Sequence, residues 1–271
     1  MHRLRIPRTP LEQIIEIFGL EQQEPRDVIL VSLDLEVNKN RPSIDQWYAI
    51  SQIGVSYFDT RCLLQPYPAD HHHFATRHFI VGGQRRFDHI RKKYHFGISE
   101  HISSQDHVND VLRNILLIPD EKTPGKFRDV ILLAHGIASD LATCRKRILI
   151  LADLANVVGL LDTTYLSMEV LGLYFSLRSL LSLLGLPVKE MHNAGNDANY
   201  TLRALLLLCR YDLHPSLKKS VQTLEYFRSI AFEPLPDTTS RNALWRSVKI
   251  RRADKTLEAL NLGGLTFFDD I

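Results

Sequence analysis

The feature that most limits the fold is a nearly continuous apolar run over residues 27–37, which contains the segment VILVSLDLEV. A strand that is apolar on both faces belongs in the middle of a sheet, where other layers cover it on either side. Two acids, Asp34 and Glu36, interrupt the run. Because side chains alternate along a strand, both carboxylates point to one face. The sequence therefore predicts a layered fold whose central strand carries two acids.

The remaining elements predict an α/β fold with a mixed five-stranded sheet flanked by helices. Four further strands are predicted at residues 47–58, 74–81, 130–134 and 157–161, and the basic segment 82–103 is predicted to be irregular. Helices are predicted at residues 10–20, 105–117, 167–184, 196–209 and 215–230, with one more beginning near Ser139. Three consecutive strands favour an antiparallel meander, and the later alternation of helix and strand favours parallel additions to its edge.

The chain divides into three parts. Its 271 residues, 45% of them hydrophobic, are enough for one large core with extensions. We expect an N-terminal helical segment at residues 1–25, a main domain at 26–230, and a polar C-terminal extension at 231–271.

Charge and cysteine content exclude some classes of protein. The net charge of +2 does not indicate any class of binding partner, so a nucleic-acid site would depend on local basic patches. Three cysteines without a C-x-x-C pair fit a reducing compartment. No apolar segment reaches the roughly 18 residues of a membrane span, and we identify no secretory signal. We expect an intracellular protein of the cytoplasm or nucleus, neither secreted nor bound to a membrane.

Further acids follow other apolar elements. Asp140 occurs in LLAHGIASDL, and Asp197 in HNAGNDANYTL, five positions after His192. Several carboxylates that converge on one point most naturally hold divalent cations, and a histidine beside them is a candidate base. Taken singly, Asp140 and Asp197 have a structural alternative, because aspartate is common in the first turn of a helix. An ion pair within the fold is an alternative for Asp34 and Glu36.

The combination of Asp34-Leu-Glu36, Asp140 and His192-x₄-Asp197 resembles the DEDDh branch of 3′–5′ exonucleases, which have an RNase H-like fold. The resemblance spans about residues 27–212. The fragments HGIASDL and HNAGNDA further resemble a fungal group of such proteins, some of which are linked to RNA metabolism.

The resemblance implies a function and a role for each residue. Two Mg²⁺ or Mn²⁺ ions would be held by the four acids, His192 would take the proton from the attacking water, and Leu35 and His135 would contact the substrate. The expected substrate is RNA or single-stranded DNA with a free 3′ end, released as nucleoside 5′-monophosphates. Three alternatives stay open: an endonuclease of the same fold, an inactive adaptor that binds nucleic acid or protein, and a metal-free structural protein with paired Asp and Arg residues. Protein partners through the C-terminal extension and a homo-oligomer are open as well.

The chain also departs from the family pattern. Many members follow D-x-E with Thr and Gly, whereas Val37 and Asn38 stand here, and this leaves the shape of the terminal-nucleotide pocket open. Four basic clusters are candidate phosphate contacts: Arg85-Arg86, Arg91-Lys92-Lys93, Arg145-Lys146-Arg147 and Arg251-Arg252. Aromatic residues among the first two, Phe87, Tyr94 and Phe96, would either stack on bases or anchor the loop to the core. A structural role is the alternative to a functional one at two further places. His135 would then be a hydrogen-bonded residue at a strand end, and the pair Asp162-Thr163 would cap a helix.

Overall fold

A computed structural model describes residues 9–20, 24–42, 48–64, 73–137, 154, 156–210 and 221–234. Within these ranges the chain forms six strands: β1 Ile29–Pro42, β2 Tyr48–Asp59, β3 Ala75–Val81, β4 Ser99–Ile102, β5 Val130–Ala134 and β6 Val157–Asp162. The described α-helices are α1 Pro10–Phe18, α2 Gln84–Ile90, α3 Val108–Leu116, α4 Thr163–Leu171, α5 Leu177–Leu183, α6 Ala194–Leu208 and α7 Val221–Ala231.

The strands form one mixed sheet in the order β4-β3-β2-β1-β5-β6. The first three strands are an antiparallel meander, whereas β5 pairs in parallel with β1, β6 with β5, and β4 with β3. The predicted mixed sheet flanked by helices is confirmed. It has one strand more than the five predicted, because the four residues of β4 pair with the edge of β3 inside the segment predicted to be irregular. So short a strand carries no apolar pattern of its own.

Two cores lie on opposite faces of the sheet. Leu30 of β1 packs in a cluster with the leucines of α6, whereas its neighbour Val31 packs in a second cluster with Val108 and Leu112 of α3. All fifteen residues of α6 are buried, so this helix lies inside the structure rather than on its surface. By strand alternation, the even-numbered positions of β1, including Asp34 and Glu36, face α6.

The N-terminal helix belongs to the first core. It begins with a capping box in which Thr9 accepts a hydrogen bond from the backbone of Glu12, and it ends at Gly19 in the left-handed conformation. Ile14, Ile17 and Phe18 are buried in the cluster that contains α6. The predicted limits of the three parts of the chain stay predictions.

Some elements differ from their predicted limits. β1 continues to Pro42, five residues past the predicted end. The predicted helix over residues 167–184 is two helices, because Gly172 ends α4 with a φ of 74° and Ser176 caps the start of α5. The predicted helix near Ser139 and the C-terminal extension from residue 235 lie outside the described residues. None of the described helices has the length and apolarity that a bilayer crossing requires.

Candidate active site

Two glycines allow the start of α6 to touch the sheet beside Asp34. Gly54 of β2 pairs with Asp34, and a Cβ atom on Gly54 would lie 1.8 Å from the carbonyl oxygen of Ala194. On the helix side, a Cβ atom on Gly195 would lie 2.7 Å from the Cβ atom of His78. Both distances are impossible for real side chains, so the backbones meet only because neither residue has one. This contact brings the first turn of α6 to the acids of β1.

A buried hydrogen-bond chain fixes the same helix end. The Nε2 atom of His78 donates to Oε1 of Gln52 at 2.9 Å, and Oε1 also accepts the backbone N–H of Ala194 at 3.4 Å. The hydroxyl of Ser99 bonds to the Nδ1 atom of His78 at 2.9 Å. Burial lowers the pKa of His78 to about 3, so the ring is neutral and both nitrogens have fixed roles. Gln52 pairs with Glu36, which places this chain directly beneath the acid.

The segment before α6 is held in an unusual backbone conformation. Asn193 is the N-cap, and its side chain accepts the N–H of Asn196 at 3.2 Å. The side chain of Asn196 in turn donates to the carbonyl of Glu190 at 3.0 Å. Glu190 and His192 have φ angles of 49° and 64°, in the left-handed region that residues other than glycine rarely adopt. Such conformations persist only where surrounding contacts impose them, and they cluster at functional sites.

Three side chains converge at this point. Glu36, His192 and Asp197 each offer one ligand atom, and these atoms lie within 4.8 Å of one another. The Nδ1 atom of His192 is 4.0 Å from Oε1 of Glu36. Carboxylate oxygens are the ligands that Mg²⁺ and Mn²⁺ prefer. The sequence analysis predicted that these three residues act together as ligands and base, although 156 positions separate Glu36 from His192.

The two oxygens of Asp197 have different surroundings. Oδ2 accepts the backbone N–H of His192 at 2.8 Å. Oδ1 is buried and has no hydrogen-bond partner among the described residues. A buried carboxylate oxygen without a donor is costly, and a bound cation would compensate it. The residues present therefore fit a divalent cation.

The electrostatics of Asp197 agree with this fit. Its pKa is raised from 3.8 to about 7, chiefly by burial. The hydrogen bond from His192 opposes the rise, and the negative charge of Glu36 adds to it. Without a cation, Asp197 thus holds its proton up to about pH 7, and a cation would favour the charged form.

His192 is at the rim rather than inside the site. Its side chain is 88% exposed, compared with 31% for Glu36. The left-handed backbone turns the N–H of His192 toward Asp197 while the imidazole points outward. A histidine so placed can reach both solvent and a bound substrate, as a proton acceptor must.

The other predicted site residues have varied positions. Asp34 lies one strand repeat before Glu36 on the face covered by α6. Asp140 lies outside the described residues. Leu35 is buried in the core on the opposite face of β1, so its side chain points away from the acids. Its predicted contact with substrate, which would have to use the backbone, stays a prediction.

His135 occupies a hydrogen-bonded position at the end of β5. Its Nε2 atom donates to the carbonyl of Phe175 at 3.0 Å, and its Nδ1 atom bonds to the hydroxyl of Thr163 at 2.8 Å. Burial lowers the pKa of His135, which favours the neutral ring. These contacts support the structural alternative for His135, and its predicted role in substrate binding stays a prediction.

Asp162 does more than cap a helix. It is the N-cap of α4 and accepts the N–H of Thr164 at 2.7 Å. It also accepts the N–H groups of Gly136 and Ile137 at 3.0 and 2.8 Å. The helix cap predicted for this residue is confirmed, and the same carboxylate fixes the loop that leaves β5 toward Asp140.

The contacts of the aromatic residues in the basic segment support the second of the two alternatives given above, anchoring to the core. Tyr94 and Phe96 are buried in the core that contains α6, and Tyr94 packs against His78 with ring centroids 4.9 Å apart. The ring of Phe87 packs against that of His101, with ring centroids 5.0 Å apart. These contacts support anchoring of the segment rather than stacking on bases.

Sequence reasoning missed Gln52, Gly54, His78 and Gly195, which position α6. An isolated glycine inside a strand pattern indicates close approach of another backbone, so Gly54 in SQIGVSYF carried a usable signal. Gln52 and His78 had none, because Gln52 bonds to Ala194, more than 100 residues away in the sequence, and His78 acts through Gln52.

Comparison with known proteins gives one family and weak structural likenesses. The family model DEDDh_C, described as DNA polymerase III subunit epsilon-like, C-terminal domain, matches residues 29–208. No curated protein sequence matches the chain. The Mg²⁺- and Mn²⁺-bound structure of S. pombe Pop2p is 17% identical and covers 76% of this chain and 91% of its own, with a TM-score of 0.41. A structure described as a full-length 3′-exonuclease is 12% identical and covers 70% of this chain and 87% of its own, with a TM-score of 0.38. Both likenesses are too weak to carry an argument about function.

Proposed function

Because the chain belongs to the DEDDh_C family, described as DNA polymerase III subunit epsilon-like, we propose that it is a 3′–5′ exonuclease that uses two divalent cations. The resemblance to DEDDh exonucleases seen in the sequence is confirmed by this match, which spans every predicted catalytic residue. The fold is the α/β, RNase H-like arrangement expected of the family.

One observation carries the proposal beyond the family: the ligand atoms of Glu36, His192 and Asp197 meet within 4.8 Å. The buried Oδ1 atom of Asp197, without a partner among the described residues, supports a cation at this place. Asp34, Glu36, Asp140 and Asp197 would hold two Mg²⁺ or Mn²⁺ ions. When bound, such ions polarise a phosphodiester and stabilise both the attacking and the leaving oxygen.

The chain's own residues would then orient the substrate and move one proton. The imidazole of His192, exposed at the rim and 4.0 Å from Glu36, would accept the proton of the attacking water. Asp197 lies in the first turn of α6, where the positive end of the helix dipole favours a negative charge. Attack at the terminal phosphodiester would release a nucleoside 5′-monophosphate from RNA or single-stranded DNA.

The test is hydrolysis of single strands by the full chain and by Glu36→Gln. This substitution keeps the size of the side chain and removes its charge. We expect the native chain with Mg²⁺ or Mn²⁺ to shorten a 5′-labelled strand one nucleotide at a time from its 3′ end. Glu36→Gln should lose at least a hundredfold in rate, since it removes a ligand of the cations. Glu121→Gln, at an exposed acid in the turn before β5, is the matched control and should keep full activity.

The products separate the remaining possibilities. Mononucleotides carrying a 5′-phosphate support the exonuclease, whereas internal fragments would make the chain an endonuclease of the same fold. Tight binding of the strand without any cleavage would overturn the proposal in favour of the adaptor. Equal rates for the native chain and Glu36→Gln would overturn the assignment of the site.

Partners and location are proposals as well. We propose that the protein acts inside the cell, in cytoplasm or nucleus, and the buried free thiols of Cys62 and Cys209 support this. Protein partners would bind the C-terminal extension, and the chain would be able to self-associate. Gel filtration of the full chain, with and without residues 235–271, tests both by the size of the complexes.

A further inference from the structure

A groove lies at the same end of the sheet as the acids, beyond the start of β2 and the end of β3. Its volume is about 1100 Å³. The floor is formed by Asn38, Ile50 and Ser51, and the far wall by Arg85 and Arg86 of α2. Nothing in the proposed chemistry uses this groove, although it is large enough for more than one nucleotide.

The charges that the described residues bring to the groove have one sign. Among the described residues that line it, none is an aspartate or glutamate, and Arg85 and Arg86 carry the permanent charges. Neither arginine forms an ion pair with a carboxylate in the described part of the chain. The acid nearest in sequence, Asp88, is instead bonded to Arg91 at 3.0 Å and to Gln84 at 3.3 Å. Unpaired guanidinium groups in an open groove favour an anionic ligand, and phosphate is the anion that arginine binds most specifically.

The groove adjoins the candidate active site through β2. Ser51 lines the groove, and its hydroxyl donates to the backbone carbonyl of Glu36 at 3.0 Å. The pairing register of β1 and β2 shifts at this point, between Glu36 and Val37, so the extra residue of the bulge lies beside the acid. Asn38 is two residues past Glu36 on β1, a separation of roughly 7 Å along a strand.

The walls of the groove are held in place before any ligand binds. The side chain of Gln105 forms two hydrogen bonds with the backbone of Ile50, which fixes the entry to β2. On the opposite side, Phe87 stacks on His101 and anchors α2 to β4. A pre-formed site loses little conformational entropy on binding.

We propose that this groove binds the backbone phosphates of the nucleotides that precede the scissile bond, through Arg85 and Arg86. The inference rests on the proposed function: if the terminal phosphodiester lies at Glu36, the rest of the strand continues on the 5′ side, and the groove is the adjoining cationic channel. The groove therefore gives the enzyme a preference for strands over dinucleotides. Recognition is by phosphate and is independent of base sequence.

The test is binding and hydrolysis by the double variant Arg85→Gln/Arg86→Gln of the full chain. Binding of a fluorescent 20-mer single strand is measured by anisotropy in EDTA, so that no hydrolysis occurs. Each phosphate contact on a single strand contributes a slope of about −0.7 to the plot of log K against log salt. The double variant should flatten that slope by about 1.4, and weaken binding about 25-fold at 0.1 M salt with little effect near 1 M.

The matched control removes two charges elsewhere. Arg113→Gln/Lys126→Gln changes two exposed cations, one on α3 and one in the turn before β5, both away from the groove. It should keep the native salt slope. Since Arg86 is half-buried, Arg85→Glu at the exposed position is a second variant that leaves the packing intact, and it should weaken binding more than Arg85→Gln.

The outcomes separate this inference from the proposed function. If the double variant keeps native binding and slope while the native chain hydrolyses strands, the groove is not a phosphate site and the nuclease assignment is untouched. If the double variant flattens the salt slope as predicted but the native chain cleaves nothing, the groove is supported and the exonuclease fails. In hydrolysis, the double variant should lose kcat/KM on the 20-mer and keep it on a dinucleotide; equal losses on both would overturn the inference.

Discussion

Replacing Asp197 by Asn should make the metal-free protein less sensitive to pH while it abolishes nuclease activity. In the native chain burial raises the pKa of Asp197 from 3.8 to about 7. The folded state therefore holds a proton that the unfolded state releases between these two values. Stability that depends on this proton is fully present below pH 3.8 and is lost as the pH rises toward 7. Asparagine is neutral at every pH, so the variant lacks this loss.

The magnitude follows from the two pKa values. About three pKa units at about 1.4 kcal/mol each give a cost of about 4 kcal/mol to the metal-free native state at pH 8. At pH 5 the cost to the metal-free native state is about 1.6 kcal/mol. The difference in unfolding free energy between Asp197→Asn and the native chain should therefore change by about 2.5 kcal/mol across this range. The prediction concerns this change, because the amide also introduces an N–H group where Oδ1 had no partner.

The assay is urea unfolding in EDTA at pH 5 and pH 8, with Asp110→Asn, at an exposed acid of α3, as the matched control. A second arm adds Mn²⁺ at pH 8. The native chain should gain about 2.7 kcal/mol at a Mn²⁺ concentration of 100 Kd, since the ion binds the folded state alone, and Asp197→Asn should gain far less. A difference between variant and native chain that is the same at both pH values would refute the account of a buried carboxyl whose Oδ1 atom has no hydrogen-bond donor among the described residues.

Three further predictions concern residues that position or perform the reaction. Gly54→Ala should cost about 3 kcal/mol of unfolding free energy because its methyl group meets helix backbone, whereas Gly159→Ala, at a strand glycine with room for a Cβ atom, should cost less than 1 kcal/mol; equal costs would contradict the close contact. His192→Ala should reduce kcat by about 100-fold or more while calorimetry shows unchanged Mn²⁺ affinity, and a normal rate between pH 6 and 8 would remove its role as base. Gln52→Leu should lower kcat more than it raises KM, because it removes the hydrogen bond to the helix end and leaves the Nε2 atom of His78 without its acceptor; an effect on stability alone would make Gln52 merely structural.

Much of the fold could be predicted because its signals are local. The apolar run before Asp34 identifies a central strand, and β5 has the predicted limits. The order of strands and helices then selects a mixed sheet. β4 could not be predicted, since a four-residue edge strand is defined by its partner β3 and not by a pattern of its own.

Part of the candidate site was visible in the sequence, and its supporting contacts were not. Glu36 and Asp197 were identified because carboxylates next to apolar elements are costly, and His192 as a histidine beside them; the structure brings these three residues together. The contacts that bring them together are tertiary. Gln52 has its role only because the start of α6 packs against β2, and a glutamine within a strand gives no sequence signal of that contact.

The most direct test of the account is the position of Mn²⁺ in crystals of the full chain, located by its anomalous scattering. We predict a peak within bonding distance of the carboxylates of both Glu36 and Asp197, with Oδ1 of Asp197 among the ligands, and loss of that peak in Glu36→Gln. A native crystal in which Mn²⁺ binds elsewhere, or in which these two carboxylates bind none at saturating concentration, would contradict the central claim that they share a cation.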